Sequence, residues 1–280
     1  MACGQKVSDM AETVIIIPAR YASTRYPAKP LAVLKGAGGV GRTLLERSVI
    51  AGRRAVDQAG GDIALYVATD DDRIAAEAER IGADVILTSE SCRNGTERVA
   101  EAVKTAGLSP QIVVNLQGDA PLTPPHFVTA LIAAMRENPG LQMATPVLRC
   151  DAESVQNFIA DRQAGRVGAT TVVSNRLGQA LYFSKEVIPF TNGRGVVDGV
   201  VPVFHHVGLY AYRPAALAAY IGWEPGPLET LEGLEQLRFL ENGHPVQAVE
   251  VSAPGAAFWE LNNPSDVPLI EGYLARMGMD

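Results

Sequence analysis

Val14–Ile17 is an unbroken β-branched run closed by Pro18, the pattern of a strand buried on both faces. Ile63–Ala68 and Ile112–Leu116 repeat it. The stretches between these runs have helical periodicity: Leu44–Ala59, then Asp71–Ile81 with Ile74, Ala78 and Ile81 on one face, then Thr96–Thr105. Asp70 and Asp71 are suited to cap the second of these helices. Strand, helix, strand at this spacing predicts right-handed crossovers and a mostly parallel sheet. Past Pro146 the alternation loosens. Ala180–Phe183 and Val207–Tyr212 are strand-like, Leu228–Leu240 is strongly helical, and further helices are expected at Arg213–Tyr220 and Pro264–Met277. The fold class is therefore α/β, a mostly parallel mixed sheet with flanking helices and antiparallel additions. No repeat or low-complexity linker marks off a second domain, so 12–280 is expected to form one domain behind a flexible tail at 1–11.

Composition narrows the function. The chain has 280 residues, 47% hydrophobic and 20% charged, with 27 Gly and 18 Pro, which suits a globular protein rich in connecting loops and excludes wholesale disorder. With 24 Lys and Arg against 31 Asp and Glu, the formal charge is −7, so neither nucleic acid nor an anionic membrane is an expected partner. An anionic ligand must meet a local cluster of cations. The three cysteines, Cys3, Cys92 and Cys150, form no CxxC pair and suit a reduced, cytoplasmic setting. The first apolar run is too short for a signal-peptide core or a membrane span.

Gly36-Ala-Gly-Gly-Val-Gly41 satisfies the dinucleotide pattern GxGxxG, and with Arg42-Thr43 it nearly satisfies the phosphate-loop pattern. Each motif needs a buried strand just before it, whereas Pro27-Ala-Lys-Pro30 leaves room only for Leu31–Leu34. Arg42 also stands where a lysine is required. The alternatives are a nucleotide contact and a flexible turn before the helix Leu44–Ala59.

The first strand delivers a better candidate. Pro18-Ala-Arg-Tyr-Ala-Ser-Thr-Arg-Tyr-Pro-Ala-Lys29 places Arg20, Arg25 and Lys29 in a stretch without an acidic residue. Ligands of open α/β sheets sit beyond the carboxyl ends of strands. Small Ala19, Ala22 and Ser23 let backbone N–H groups approach phosphate oxygens while the cations neutralise them. The alternative is a solvated loop whose cations pair with surface acids. Ile112-Val-Val-Asn-Leu-Gln-Gly-Asp119 is the second candidate, a buried strand ending in a carboxylate suited to Mg²⁺ that also binds substrate phosphates. Its alternative is an Asp that caps the turn into Pro124-Pro125.

Ile16-Ile-Pro-Ala-Arg-Tyr-Ala-Ser-Thr-Arg-Tyr-Pro-Ala-Lys-Pro-Leu31 closely resembles the N-terminal signature of the 3-deoxy-D-manno-octulosonate (KDO) cytidylyltransferase family. Val67-Ala-Thr-Asp70, Gly95-Thr-Glu-Arg98, Val114-Asn-Leu-Gln-Gly-Asp119, Ala180-Leu-Tyr-Phe-Ser184, His206-Val-Gly-Leu-Tyr-Ala-Tyr-Arg213 and Pro227-Leu-Glu-Thr-Leu-Glu-Gly-Leu-Glu-Gln-Leu-Arg238 follow in the family's order. The resemblance implies a Rossmann-like, glycosyltransferase-A-like nucleotidyltransferase that is Mg²⁺-dependent and homodimeric. It would join CTP to a 3-deoxy-2-ulosonic acid for lipopolysaccharide or capsule assembly, with a sugar-binding and dimerisation part within about 150–245.

By the same resemblance, Arg20, Lys29 and Asp119 are the catalytic group. Pro18, Ala19, Ser23, Arg25, Thr69, Asp70, Gly95, Thr96 and Arg98 line the nucleotide side, and Gln117, His206, Tyr210, Glu235 and Gln236 match sugar-acid contacts. The residues alone leave two of these open. The Glu229, Glu232 and Glu235 spacing also fits an amphipathic surface helix, and a lone His in a strand-like run also fits a packed core residue.

Three positions depart from the family pattern. Ala120 stands where Gln-Gly-Asp is normally followed by Glu, Asn262 stands at the second metal-ligand Asp, and Thr171 stands at an expected Lys. Metal ligation is thus expected from Asp119 and Asn262. The departures leave open CMP transfer to a related acid, such as an amino-substituted KDO, a sialic-type acid or a phosphonate. A nucleotide-binding paralogue with little turnover is the other alternative.

Overall fold

The computed structural model describes residues 11–22, 26–167, 169–192, 196–197, 199–253 and 260–280, so all but Ala11 of the expected tail lies outside the described residues. The chain divides into two compact units, residues 1–129 with 256–280, and residues 130–255.

In the first unit the three apolar runs become β1 (Thr13–Ala19), the hairpin β2 (Val33–Lys35) and β3 (Gly41–Thr43) follows, and then α1 (Leu44–Ala59) and β4 (Ile63–Thr69). After these come α2 (Asp72–Arg80), β5 (Asp84–Leu87), α3 (Gly95–Thr105) and β6 (Ile112–Leu116). β1 is the pivot of a parallel sheet ordered β5-β4-β1-β6. It pairs with β4 from Thr13↔Ile63 to Ala19↔Thr69 and with β6 from Thr13↔Ile112 to Ile16↔Asn115. These ladders run in one direction and nearly in step, so the carboxyl ends of β1, β4 and β6 open at the same edge. β1 runs on through Pro18, where the run was expected to stop, because the β6 ladder ends at Ile16 and only the β4 register continues.

Val14–Ile17 are wholly buried, as a strand covered on both faces requires. α1 lies on one face, where Gly52 admits the Leu65 and Leu116 side chains, and a Cβ there would come within 2.4 Å of Leu65. Helix starts follow capping chemistry. Thr43 accepts from Glu46 N–H, Asp71 from Arg73 N–H and Asn94 from Glu97 N–H.

α4 (Pro125–Glu137) spans the division between the units. The second unit continues with β7 (Met143–Arg149), α5 (Ala152–Gln163), β8 (Thr171–Ser174), β9 (Ala180–Ser184), β10 (Phe204–His206) and β11 (Leu209–Tyr212). α6 (Pro214–Ile221), α7 (Pro227–Glu232), α8 (Leu237–Glu241) and β12 (Val246–Val251) complete it. β12 pairs in parallel along β7, whereas β10, β11, β8 and β9 are antiparallel additions. The expected helix Leu228–Leu240 is in fact two, α7 and α8. Gly233 ends the first in the left-handed region at φ 62°, which breaks the periodicity that the leucines suggest.

The C-terminal segment belongs to the first unit, where α9 (Val267–Arg276) puts Ile270 and Leu274 against Leu34, Leu44, Leu122 and Leu261. It also explains the glycine-rich stretch. Gly38 N–H donates to Asp280 Oδ1 at 2.7 Å and Ala37 N–H to the Met279 carbonyl at 2.8 Å. A Cβ on Gly36 would lie 2.6 Å from Asp280 Cα, so these glycines make room for the chain's own last residues. The nucleotide motif is thus the turn of the β2–β3 hairpin. No helix among the described residues is long and apolar enough to cross a membrane.

Candidate active site

Arg20 is exposed immediately after β1. The loop that follows is closed at its described ends. Ala28 N–H donates to the Tyr21 carbonyl at 3.0 Å, and the Arg73 guanidinium lies 3.3 Å over the Tyr21 ring. Ser23 and Arg25 lie outside the described residues. The loop then enters a 3-10 turn, Lys29–Leu31, which turns Lys29 Nζ onto Asp119 Oδ2 at 2.8 Å. Asp119 therefore faces a cation from the neighbouring strand end. The turn into Pro124 is held instead by Thr123, whose N–H and hydroxyl donate to the Ala120 carbonyl at 3.1 and 2.9 Å.

The turn that bears Asp119 is tied on three sides. A Cβ on Gly118 would lie 2.9 Å from the Pro18 carbonyl oxygen, so only glycine lets the two strand ends approach this closely. Ser48 Oγ of α1 is 3.2 Å from the Gly118 carbonyl. Leu261 N–H donates to the Asp119 carbonyl at 2.8 Å, which brings Asn262 to the residue next to Asp119's partner. Pattern reading missed Ser48, which carries no motif.

At the end of β4, Thr69, Asp70 and Arg98 come together. The buried Arg98 guanidinium donates to Asp70 Oδ2 at 2.9 Å and to Thr88 Oγ1 at 2.6 Å, while Thr69 Oγ1 accepts from Asp71 N–H at 3.2 Å. Asp71, rather than Asp70, caps α2, and its Arg73 partner holds its carboxyl below the usual range. Thr96 is buried two residues before Arg98, and Gly95 abuts Gln117, where a Cβ would lie only 2.9 Å from Gln117 Nε2.

In the second unit, His206 on β10 and Tyr210 on β11 bring their rings to 5.6 Å, and Tyr210 Oη donates to Gln236 Oε1 at 3.3 Å. Gln236 is buried, and its Nε2 has no hydrogen-bond partner among the described residues, so this donor is left for a ligand or a water. Burial holds the His206 imidazole down at about 3 and the adjacent His205 at about 4, so both are neutral at neutral pH. Glu235 precedes Gln236 in the short link between α7 and α8.

The glutamates of α7 have inward partners, unlike those of a plain surface helix. Glu229 makes a bidentate pair with buried Arg238, both contacts at 2.6 Å, and Glu232 accepts from Ser184 Oγ at 2.7 Å and Lys185 N–H at 2.9 Å. Thr171 is buried with its hydroxyl 2.6 Å from the Glu186 carbonyl, a position where a lysine ammonium would be desolvated.

The donor set around Asp119 bears on Mg²⁺. Among the described residues no three His, Cys, Asp or Glu side chains gather to hold a metal unaided. Ala120 is buried and apolar, and the Asn262 amide nitrogen donates to Glu260 Oε2 at 3.3 Å. One carboxylate and one amide oxygen fit a hard cation that keeps several waters and takes its other ligands from substrate phosphates.

A family model described as cytidylyltransferase matches residues 14–249. The chain is similar to a 3-deoxy-manno-octulosonate cytidylyltransferase of Maricaulis maris, 41% identical over 265 residues, which are 94% of this chain and 97% of that protein. It is likewise similar to one of an Anaeromyxobacter species, 39% identical over 266 residues, with 95% and 98% covered. Among solved structures, a CMP:2-keto-3-deoxy-manno-octonic acid synthetase complexed with CTP superposes with a TM-score of 0.79 at 30% identity, covering 95% of this chain and all of that one. With ordered motifs, strand ends and nearly full-length likeness in agreement, the chain belongs to the 3-deoxy-manno-octulosonate cytidylyltransferase family.

Proposed function

We propose that this chain transfers the cytidylyl group of CTP to 3-deoxy-D-manno-octulosonate, giving CMP-KDO and pyrophosphate. One observation carries the reading at the level of residues: the Lys29–Asp119 pair at 2.8 Å, which joins the carboxyl ends of β1 and β6 beside Arg20. The anomeric hydroxyl oxygen of the sugar acid bonds to the α-phosphorus, the bond from that phosphorus to the bridging oxygen breaks, and the hydroxyl proton is lost as pyrophosphate leaves. Catalysis of this kind is mostly positioning and charge neutralisation. Arg20 and Lys29 bring positive charge to the phosphates, and the tied Gly118 turn keeps Asp119 in place.

Asp119 and Asn262 would hold Mg²⁺, which when bound adds further neutralisation of phosphate charge. Within the second unit, His206, Tyr210 and Gln236 offer hydrogen bonds to the sugar acid. Homodimerisation through that unit is proposed from the family resemblance, and Phe190 and Leu231, 88% and 82% exposed, are apolar side chains that it could cover. A cytoplasmic place, ahead of lipopolysaccharide or capsule assembly, is supported by the free, buried thiols of Cys92 and Cys150.

The test is pyrophosphate release with Mg²⁺ across four nucleotides and a panel of acids. Release with CTP and KDO above all other pairs is expected. Greater release with an amino-substituted KDO, a sialic-type acid or a phosphonate would reassign the acceptor. CTP binding without release would make the chain a nucleotide-binding paralogue.

A further inference from the structure

Thr145 is a buried residue of β7 with a single hydroxyl hydrogen and three neighbours that compete for it. Its Oγ1 lies 2.8 Å from the Leu209 carbonyl, 3.2 Å from the Val207 carbonyl and 3.0 Å from His206 Nε2. Carbonyl oxygens only accept, so the Thr145 hydrogen goes to Leu209 and Val207, and the oxygen faces His206 with its lone pairs. An imidazole nitrogen at 3.0 Å from an acceptor must bring its own hydrogen. With Nε2 unprotonated, either the Thr145 hydrogen would leave both buried carbonyls to reach the ring, or it would stay on them and the lone pairs of Oγ1 and Nε2 would face each other.

We infer that Thr145 is a positioning residue that fixes His206 as the tautomer protonated on Nε2, leaving the Nδ1 lone pair to accept a hydroxyl of the sugar acid. The inference rests on the proposed function for the identity of that hydroxyl, though not for the tautomer. It gives His206 a defined role in selectivity. A neutral ring with an open Nδ1 contributes no charge to a carboxylate and favours a donor hydroxyl. Gln236 Nε2 offers the opposite polarity, a donor without a hydrogen-bond partner among the described residues. The ring is held in place by Phe183, edge-on at 5.0 Å, and by Tyr210 at 5.6 Å. A half-turn flip of the ring would keep both packing contacts but turn Cε1 in place of Nε2 toward Thr145, so the Thr145 bond is what selects between the two orientations.

The test uses the whole protein with Thr145→Val, which keeps the shape but not the hydroxyl, and Thr145→Ser, which restores it. Long-range ¹H–¹⁵N NMR distinguishes protonated from lone-pair ring nitrogens, and a His206→Gln sample assigns the signals. Wild type and Thr145→Ser are expected to show His206 protonated on Nε2, and Thr145→Val a mixture of tautomers. In pyrophosphate release, Thr145→Val is expected to raise the KM for KDO about ten-fold, with the KM for CTP unchanged and Thr145→Ser near wild type. A wild-type His206 protonated on Nδ1 overturns the inference, even if Thr145→Val fails to fold. Unchanged tautomer and KM in Thr145→Val also overturn it. If wild type instead releases no pyrophosphate with KDO, the proposed acceptor fails, while the NMR result on the free protein still decides the tautomer.

Discussion

Lys29 Nζ rests 2.8 Å from Asp119 Oδ2, an ion pair that bridges 90 positions of sequence and joins the loop after the first strand to the turn after the sixth. The two side chains remain 16% and 28% exposed, so the pair adds little to stability, of the order of 1 kcal/mol or less. Lys29→Ala is therefore expected to leave the melting temperature nearly unchanged. Turnover is expected to fall by roughly ten- to a thousand-fold, because a cation aimed at phosphate charge is lost. Arg20→Ala should behave alike. Wild-type kinetics in either soluble variant would remove these residues from the catalytic group.

Arg98 has the opposite balance. Its side chain is buried, as is most of Asp70, so removing the guanidinium strands a carboxylate in a poorly solvated place. Arg98→Met is expected to cost about 3–5 kcal/mol in urea unfolding, well above the cost at Lys29. A loss below about 1 kcal/mol would show that Asp70 reaches water without its partner.

The parallel half of the fold was legible because β1, β4 and β6 are continuous apolar runs, a pattern with few alternatives once helical stretches lie between them. The glycine-rich stretch was not, since GxGxxG describes local backbone freedom and says nothing of what the freedom accommodates. Here it accommodates Asp280, some 240 positions away. Leu228–Leu240 kept a leucine every third residue across Gly233, and a period count does not register one left-handed residue. Lys29, Asp119 and Asn262 were recognisable from family motifs, whereas Ser48 and Thr145 act through a lone hydroxyl on another element and leave no trace in pattern.

Gly36→Ala separates the two readings of that stretch. The added methyl would meet Asp280 Cα at 2.6 Å and push the last residues away from the hairpin. Stability should fall by about 1–2 kcal/mol through the lost contacts of Met279 and Asp280. The KM for CTP should stay at the wild-type value. A large rise in that KM with unchanged stability would return the loop to the nucleotide.

The buried His206 makes stability depend on pH. Its pKa is about 3 when folded and about 6.5 when unfolded, so between these values the unfolded chain binds a proton that the folded chain does not. Stability due to this group is complete above about pH 6.5 and is lost as pH falls toward 3, by up to about 1.4 kcal/mol per unit. At about pH 5 the loss approaches 2 kcal/mol. Urea unfolding of wild type and His206→Gln at both pH values measures it. Equal losses in the two proteins would mean that His206 is protonated in the folded state.

Asn262 follows directly on Leu261, whose N–H is bonded to the Asp119 carbonyl at 2.8 Å, so a ligand at Asp119 lies close to this amide. An amide oxygen can coordinate Mg²⁺ but carries no charge, and the neighbouring Ala120 adds no carboxylate. The metal is therefore expected to bind more weakly than at a two-carboxylate site. A deficit of about 1.4 kcal/mol corresponds to ten-fold in half-saturation. Asn262→Asp should recover roughly that factor and lower the Mg²⁺ needed at saturating CTP and KDO. The same variant should also bind Mn²⁺ more tightly with CTP present, a change read by electron paramagnetic resonance independently of turnover. Glu260, which now accepts from the Asn262 amide at 3.3 Å, would lose that bond and face a second carboxylate. Without metal, Asn262→Asp should accordingly melt lower than wild type, and with metal the difference should shrink. If half-saturation, Mn²⁺ affinity and metal-dependent melting are all unchanged, Asn262 does not touch the metal.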